Sequence, residues 1–106
     1  MLARAPEATA ILAMSDKHAA AAIEAAMRLG RRVPQDLSVV GFDDVEGAAT
    51  MVPPLTTVRQ DIVGKGRAAA RMLFTGQAPK QPVLPVELIV RGSTAPPPTP
   101  KRRKSR

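Results

Sequence analysis

Cysteine, tryptophan and tyrosine are absent from this chain of 106 residues, and it has only two phenylalanines. Without cysteine, neither a disulfide framework nor a thiolate metal site can form, and nothing argues for an oxidising compartment. The chain also lacks an apolar run near the ~20 residues that a membrane-spanning helix needs. Pro6 and Glu7 interrupt the amino terminus where a signal peptide would continue. We expect a small soluble protein with an aliphatic core, located in the cytoplasm and without a membrane partner.

Positive charge is concentrated at the carboxyl terminus. Five of the 16 basic residues lie in 101–106, which leaves 11 basic against 9 acidic residues over 1–100. The segment 95–106, APPPTPKRRKSR, combines four prolines with this charge block and has too little apolar surface to order itself. We predict a disordered Pro-rich basic tail at 95–106. Nucleic-acid binding through its basic side chains is one alternative function, although no aromatic stacking residue accompanies them.

Apolar runs of strand length alternate with segments of helical period. Periodicity predicts α-helices over residues 17–29 and 61–75. Short apolar runs predict strands over residues 8–14, 37–42, 55–58 and 86–90. The second of these runs is continuous, so we expect both faces of that strand to be covered. Alternating strands and helices predict the α/β class, with a mainly parallel sheet flanked by helices.

Three polar side chains follow the predicted parallel strands at their carboxyl ends, where ligands bind in such sheets. Ser15 follows the first strand, Asp43 the second and Gln60 the third. An ionised aspartate accepts two hydrogen bonds from neighbouring hydroxyls, and Ser and Gln donate or accept, so the set suits a polyol. Simpler interpretations stay open. The pair Ser15-Asp16 can be a helix cap, and Asp43-Asp44 a polar strand exit.

Patterns typical of enzymes are missing from the sequence. It has no metal-ligand spacing, no nucleophile beside a paired base and no glycine-rich phosphate loop. The only histidine, His18, has no catalytic partner arranged around it, and we expect it on the solvated surface. We therefore predict no catalysis, no cofactor and no bound metal.

Four segments carry a resemblance to a known family. In order, TAILAMSDKHAA, LGRRVPQDLSVVGFDD, PPLTTVRQDIVGKGRAAARMLF and VELIVRGST fall within residues 9–94. Their order and spacing resemble the last third of bacterial repressors of the LacI/GalR type. The resemblance implies that residues 1–94 are part of a sensor domain with the periplasmic-binding-protein-like type I fold, namely its LacI-like C-terminal subdomain. In that family, a sugar or similar effector lies in the cleft between two subdomains.

The resemblance also implies ligand-binding roles for four residues. Asp43 matches the aspartate that binds effector hydroxyls in the family, and Ser15 lies where an asparagine is common. Gln60 matches another cleft residue, and Ile62 matches a position on the cleft wall that often carries a larger apolar group. We expect these four residues to contact the effector.

A homodimer is implied as well, through the helix after the first strand and the loop before the double proline. The corresponding residues are Ala20, Ile23, Met27 and Met51. Core packing explains Ile23 equally well. Met51 is the better interface candidate, because an apolar side chain in that loop has less reason to be buried within one chain.

Several parts of such a regulator are missing from this sequence, among them the helix-turn-helix, the hinge helix and the opposite half of the cleft. DNA would be bound only through the missing N-terminal domain. In the family, the 61–75 helix packs in the other subdomain, so we expect its stripe of Ile62, Ala69 and Leu73 to be exposed or folded back onto the sheet. A periplasmic sugar-binding protein shares the implied fold and is an alternative, although PPLTTV and GFDD favour the repressor.

Overall fold

Strands and helices alternate along the chain, as the sequence predicts. A computed structural model describes residues 2–77 and 83–100. Each predicted strand and helix is present, with its ends shifted by a few residues at most. The elements follow in the order β1 (Ala10–Leu12), α1 (Asp16–Arg28), β2 (Ser38–Asp43), β3 (Thr56–Gln60), α2 (Ile62–Thr75) and β4 (Val86–Ile89).

One sheet joins the four strands in the order β1-β2-β3-β4. β1 runs parallel to β2, and β2 runs parallel to β3, whereas β4 pairs antiparallel with β3. Leu12 lies opposite Val40, and Asp43 lies opposite Arg59. The first three strands therefore end on the same side of the sheet, which we call the carboxyl edge. The prediction of an α/β fold with a mainly parallel sheet is confirmed.

The core lies between α1 and one face of the sheet. Ala19, Ile23 and Ala26 fall on one stripe of α1 and are buried, the spacing expected of a helix that packs on a sheet. Small alanines let the helix approach the strands closely, and the buried apolar side chains of the described residues are all aliphatic. The fully buried aliphatic residues that face this helix from the rest of the chain are Leu37, Val39, Ala48 and Leu55.

The opposite face of the sheet is open in the part of the chain that the structure describes. Leu12 is 75% exposed, and Val40 and Phe42 of β2 are only half-buried. Leu88 of β4, on the same face, is also exposed. The expectation that both faces of the second strand are covered is therefore wrong, because the main helix contact of β2 is made by α1 on the other face.

α2 stands apart from the core. Asp61 caps its amino end by accepting a hydrogen bond from Gly64 N at 2.8 Å, and Gly76, with a φ of 64°, ends it. No described side chain of this helix is buried. Ile62 is 56% exposed and Leu73 is 78% exposed, and Ala69 is exposed too. Of the two outcomes expected for this apolar stripe, exposure is the one found.

Residues 95–100 follow the sheet without helix or strand and are exposed. Ala95 ties their start to β2, because its N donates to Ser38 Oγ and its O accepts from the same hydroxyl, each at 3.0 Å. The basic block 101–106 of the expected tail lies outside the described residues. Within residues 2–77 and 83–100, no helix is long and apolar enough to cross a membrane.

Candidate functional site

Two of the three residues predicted at the carboxyl edge meet directly. Gln60, the last residue of β3, donates from Nε2 to Asp43 Oδ1 at 2.6 Å. Gln60 Oε1 in turn accepts from Lys65 Nζ of α2 at 3.3 Å. Asp43 and Gln60 are both half-buried, so the protein holds their side chains while part of each reaches solvent. The edge thus presents a carboxylate and an amide side by side.

The backbone turns sharply where β2 ends. Asp43 has a φ of 112° and Asp44 a φ of 58°, and a non-glycine residue adopts such values at a cost of about 1–3 kcal/mol. Aspartate enters this region more readily than most residues, because its short polar side chain can bond locally. The two residues redirect the chain away from the sheet. The polar strand exit is therefore the same turn that places the Asp43 carboxylate beside Gln60.

Asp44 points into the fold, where two arginines hold it. Its Oδ2 accepts from Arg59 Nε at 2.6 Å, and its Oδ1 pairs with Arg91 Nη1 at 2.8 Å. The side chain is only 8% exposed. The hydrogen bond from Arg91 is the main cause that lowers the pKa of Asp44 below its ordinary value, and the hydrogen bond from Arg59 lowers the pKa further. Burial acts in the opposite direction and raises it. Arg91 Nη1 also donates to Leu55 O at 2.9 Å. Asp44 and Arg91 together therefore join the turn after β2 to the segments around β3 and β4.

Ser15 is the N-cap of α1, and no hydrogen bond joins it to the Asp43–Gln60 pair. Its Oγ accepts from His18 N at 3.2 Å and lies 2.7 Å from His18 Nδ1. The capping interpretation is therefore correct for Ser15. His18 is exposed, as the sequence predicts, and its only described side-chain partner is this serine.

Asp16 has a different role from the helix cap that the sequence favours for it. The residue is fully buried. Its Oδ1 accepts from Thr57 Oγ1 at 2.5 Å, and its Oδ2 accepts from Val45 N at 2.7 Å. The interpretation of Asp16 as a cap is wrong, because Ser15 caps the helix and Asp16 bonds to β3 and to the turn after β2. No sequence pattern predicts these contacts, because Thr57 and Val45 lie 41 and 29 positions away from Asp16 in the chain.

Ile62, the fourth expected ligand-binding residue, begins α2 next to the carboxyl edge and is exposed. A concavity of about 260 Å³ opens nearby, between the start of α2 and the segment before β4. Among the described residues, no group of three or more His, Cys, Asp or Glu could hold a metal ion. The concavity is lined by Gln60, Asp61, Lys65, Leu84, Pro85 and Val86.

The four residues expected at a dimer interface have different surroundings. Met27 is 60% exposed and Ala20 is half-buried, so a partner can reach both. Ile23 is 5% exposed and belongs to the core, so its assignment to the interface is corrected: its own chain covers it. Met51 is half-buried and packs against the same core. Contrary to the expectation for this loop, the methionine therefore has packing partners within its own chain.

The fold and the polar carboxyl edge define a known class of protein. The sequence profile of the periplasmic binding protein-like domain matches residues 1–94. The chain therefore belongs to the family of periplasmic binding protein-like domains. Its relatives in that family include LacI-type transcriptional regulators, which confirms the resemblance noted in the sequence.

The similarity to individual regulators extends over most of this chain. It is 48% identical over 94 residues to the HTH-type transcriptional regulator MalR of Streptomyces coelicolor, covering 84% of this chain and 27% of the relative. It is 41% identical over 95 residues to the lactose operon repressor of Escherichia coli, covering 86% of this chain and 26% of the repressor. For the ribose operon repressor of Bacillus subtilis, the identity is 34% over 100 residues, covering 89% of this chain and 30% of the repressor. The chain thus spans less than a third of the length of these relatives.

Solved structures give the same result. The lac repressor dimer bound to operator and the anti-inducer ONPF matches with a TM-score of 0.73 and 41% identity, covering 81% of this chain and 32% of that one. The transcriptional regulator CelR in complex with cellobiose matches with a TM-score of 0.72 and 37% identity, covering 87% and 30%. At these identities the likeness concerns the sequence as well as the fold.

Proposed function

We propose that this chain forms part of the effector-binding domain of a LacI-type transcriptional regulator, and that it supplies one side of the effector cleft with Asp43 as the main polar contact. The observation that carries the proposal is the hydrogen bond between Gln60 Nε2 and Asp43 Oδ1 at the carboxyl edge, where ligands bind in open α/β sheets. The lactose and ribose operon repressors among its relatives support the regulatory role.

Asp43 is suited to bind hydroxyl groups. Its Oδ1 accepts a hydrogen bond from Gln60. No donor among the described residues bonds to its Oδ2, so this second oxygen can accept from ligand hydroxyls. A hydrogen bond to a charged group contributes about 1.5–3 kcal/mol. Gln60 is held between Asp43 and Lys65, so it keeps the carboxylate in one orientation.

A sugar or a similar polyol is the proposed effector. The structure of the relative CelR is a complex with cellobiose, and a LacI family regulator from Lactobacillus casei has bound sucrose. Such neutral ligands offer many hydroxyls and no charge, which matches an edge with one outward carboxylate and an amide. Ser15 and Ile62 are proposed to complete this side of the cleft, the serine with its hydroxyl and the isoleucine as an apolar contact.

The other parts of the regulator are proposed to lie outside this chain. The sensor part occupies residues 1–94 and a tail occupies 95–106, while an N-terminal domain binds DNA and a second subdomain closes the cleft. The lac repressor dimer among the solved structures supports the formation of a homodimer. Its proposed contacts are the exposed Met27 and the half-buried Ala20 and Met51. Bacterial transcriptional regulators among the relatives favour a cytoplasmic protein without catalytic activity, and they favour a regulator over a periplasmic transport protein.

Two aspartates at opposite ends of β2 provide the test. Asp43→Asn removes the charge at the carboxyl end, and Asp36→Asn removes a charge before the strand begins, where Asp36 pairs with Arg32 at 2.9 Å. In the intact protein, we expect the affinity for an effector sugar to fall at least about tenfold for Asp43→Asn and to stay unchanged for Asp36→Asn. Isothermal titration calorimetry with ribose, cellobiose and sucrose measures both. An Asp43→Asn variant that binds as tightly as the wild type would remove Asp43 from the site.

A further inference from the structure

The buried carboxylate of Asp16 lies behind the proposed effector contact and links three parts of the fold. Asp16 is the first residue of α1. Its Oδ1 accepts from Thr57 Oγ1 of β3, and its Oδ2 accepts from Val45 N in the turn after β2. A buried carboxylate needs such donors, because burial without them disfavours the charged form. Both of its oxygens are thus engaged within the protein.

The space around Asp16 is shaped to admit this carboxylate. A Cβ on Gly41 of β2 would collide with Asp16 Oδ1 and would lie 2.9 Å from Leu55 Cδ2. Any larger residue at position 41 would collide with the carboxylate or displace it. The absence of a side chain at Gly41 is therefore what lets α1 begin this close to the sheet.

Val45 connects Asp16 to the effector-facing residue. It follows directly on Asp43 and Asp44, the two residues with positive φ, and its N–H donates to Asp16. This hydrogen bond of 2.7 Å to a buried side chain restricts the backbone on both sides of the donor. Since Asp44 is also bound by two arginines, the turn is held at two points next to Asp43, whose carboxylate accepts from Gln60 at the carboxyl edge.

We propose that Asp16 is a positioning residue of the effector site: by holding Val45 N and Thr57 Oγ1, it sets the turn after β2 and thereby the direction of the Asp43 carboxylate. Asp16 does not touch the effector itself. The effect on ligand affinity rests on the proposed function, whereas the effect on the turn does not. The two parts can therefore be measured separately.

Two adjacent threonines of β3 allow a matched test. Thr57→Val removes the hydroxyl that donates to Asp16 and leaves the size of the side chain almost unchanged. Thr56→Val makes the same change at an equally buried neighbour, whose hydroxyl bonds to Thr94 and to Arg91 N instead. Thr57→Ser keeps the hydroxyl and serves as the conservative variant. Each loss of a buried hydrogen bond lowers stability, so the two valine variants separate a positioning role from a merely structural one.

Amide hydrogen exchange, followed by NMR on the 106-residue chain, reports on the turn. We expect exchange at Val45 N–H to accelerate about tenfold in Thr57→Val, with a shift of the Gln60 side-chain amide signals. Thr56→Val and Thr57→Ser should leave both readouts as in the wild type. Equal effects of Thr57→Val and Thr56→Val, or an unchanged Val45 in Thr57→Val, would overturn the proposal. If Thr57→Val does not fold, Asp16→Asn takes its place, because it turns an amide NH₂ group towards one of the two donors.

Calorimetry with ribose, cellobiose and sucrose on the intact protein measures the second part. We expect about tenfold weaker binding for Thr57→Val and wild-type binding for Thr56→Val. Wild-type affinity in Thr57→Val, together with weak binding of Asp43→Asn, would overturn the positioning role and leave the proposed function intact. If the wild type binds none of these sugars, the effector proposal fails for them, while the exchange at Val45 still decides what Asp16 does.

Discussion

Three aspartates near the carboxyl edge show how the surroundings of a residue decide its role. Asp16 is buried and bonds to a hydroxyl and a backbone N–H. Asp44 is buried against Arg59 and Arg91. Asp43 is half-buried and bonds to an amide. The sequence presents all three as acidic residues after a strand, so it predicts their location but not which of them faces a ligand.

The buried pair of Asp44 and Arg91 makes stability depend on pH. The pKa of Asp44 is lower in the folded chain than its ordinary value, so its contribution is fully present above the unfolded pKa of about 4 and is lost as the pH falls through the folded pKa. We expect Asp44→Asn to lower the free energy of unfolding at pH 7 by about 1.5–3 kcal/mol. In this variant, the free energy of unfolding should also fall less steeply as the pH is lowered. Urea unfolding at several pH values measures both effects. A decline in acid as steep as that of the wild type would contradict the assignment.

The two helices show what can be predicted at the scale of elements. Both follow from periodicity and caps, yet α1 buries a stripe and α2 buries none. Periodicity identifies an apolar face but not the surface that covers it, so it does not predict that the sheet face around Leu12 is open. For the same reason, the sequence does not reveal that Met51 packs in part on the core of its own chain. Asp43 and Gln60 could be placed together because parallel strands end at one edge.

Matched truncations in the two helices test this difference. Ile23 of α1 is 5% exposed and Leu73 of α2 is 78% exposed. We expect Ile23→Ala to lower the free energy of unfolding by about 2–5 kcal/mol, because it leaves a cavity in the core. Leu73→Ala should change it by less than about 0.5 kcal/mol. Chemical denaturation of the 106-residue chain measures both. Similar losses for the two variants would show that α2 packs on the core in solution.

At the scale of the whole molecule, the open surfaces agree with the share of the family that this chain covers. It spans about 26–30% of the length of the regulators compared above, and both the sheet face with Leu12 and the apolar stripe of α2 are uncovered in its described residues. We expect a longer protein of this family to cover both surfaces. The carboxyl edge with Asp43 would then form one side of a cleft closed by the second subdomain.

A crystal structure of the intact protein with a bound sugar tests the central claim most directly. We predict that the sugar lies at the carboxyl edge and that its hydroxyls donate hydrogen bonds to the Asp43 carboxylate at about 2.5–3.0 Å. Gln60 and Val45 should keep the partners that they have here, Asp43 Oδ1 and Asp16 Oδ2. A sugar bound elsewhere, with Asp43 bonded only to Gln60, would contradict the account.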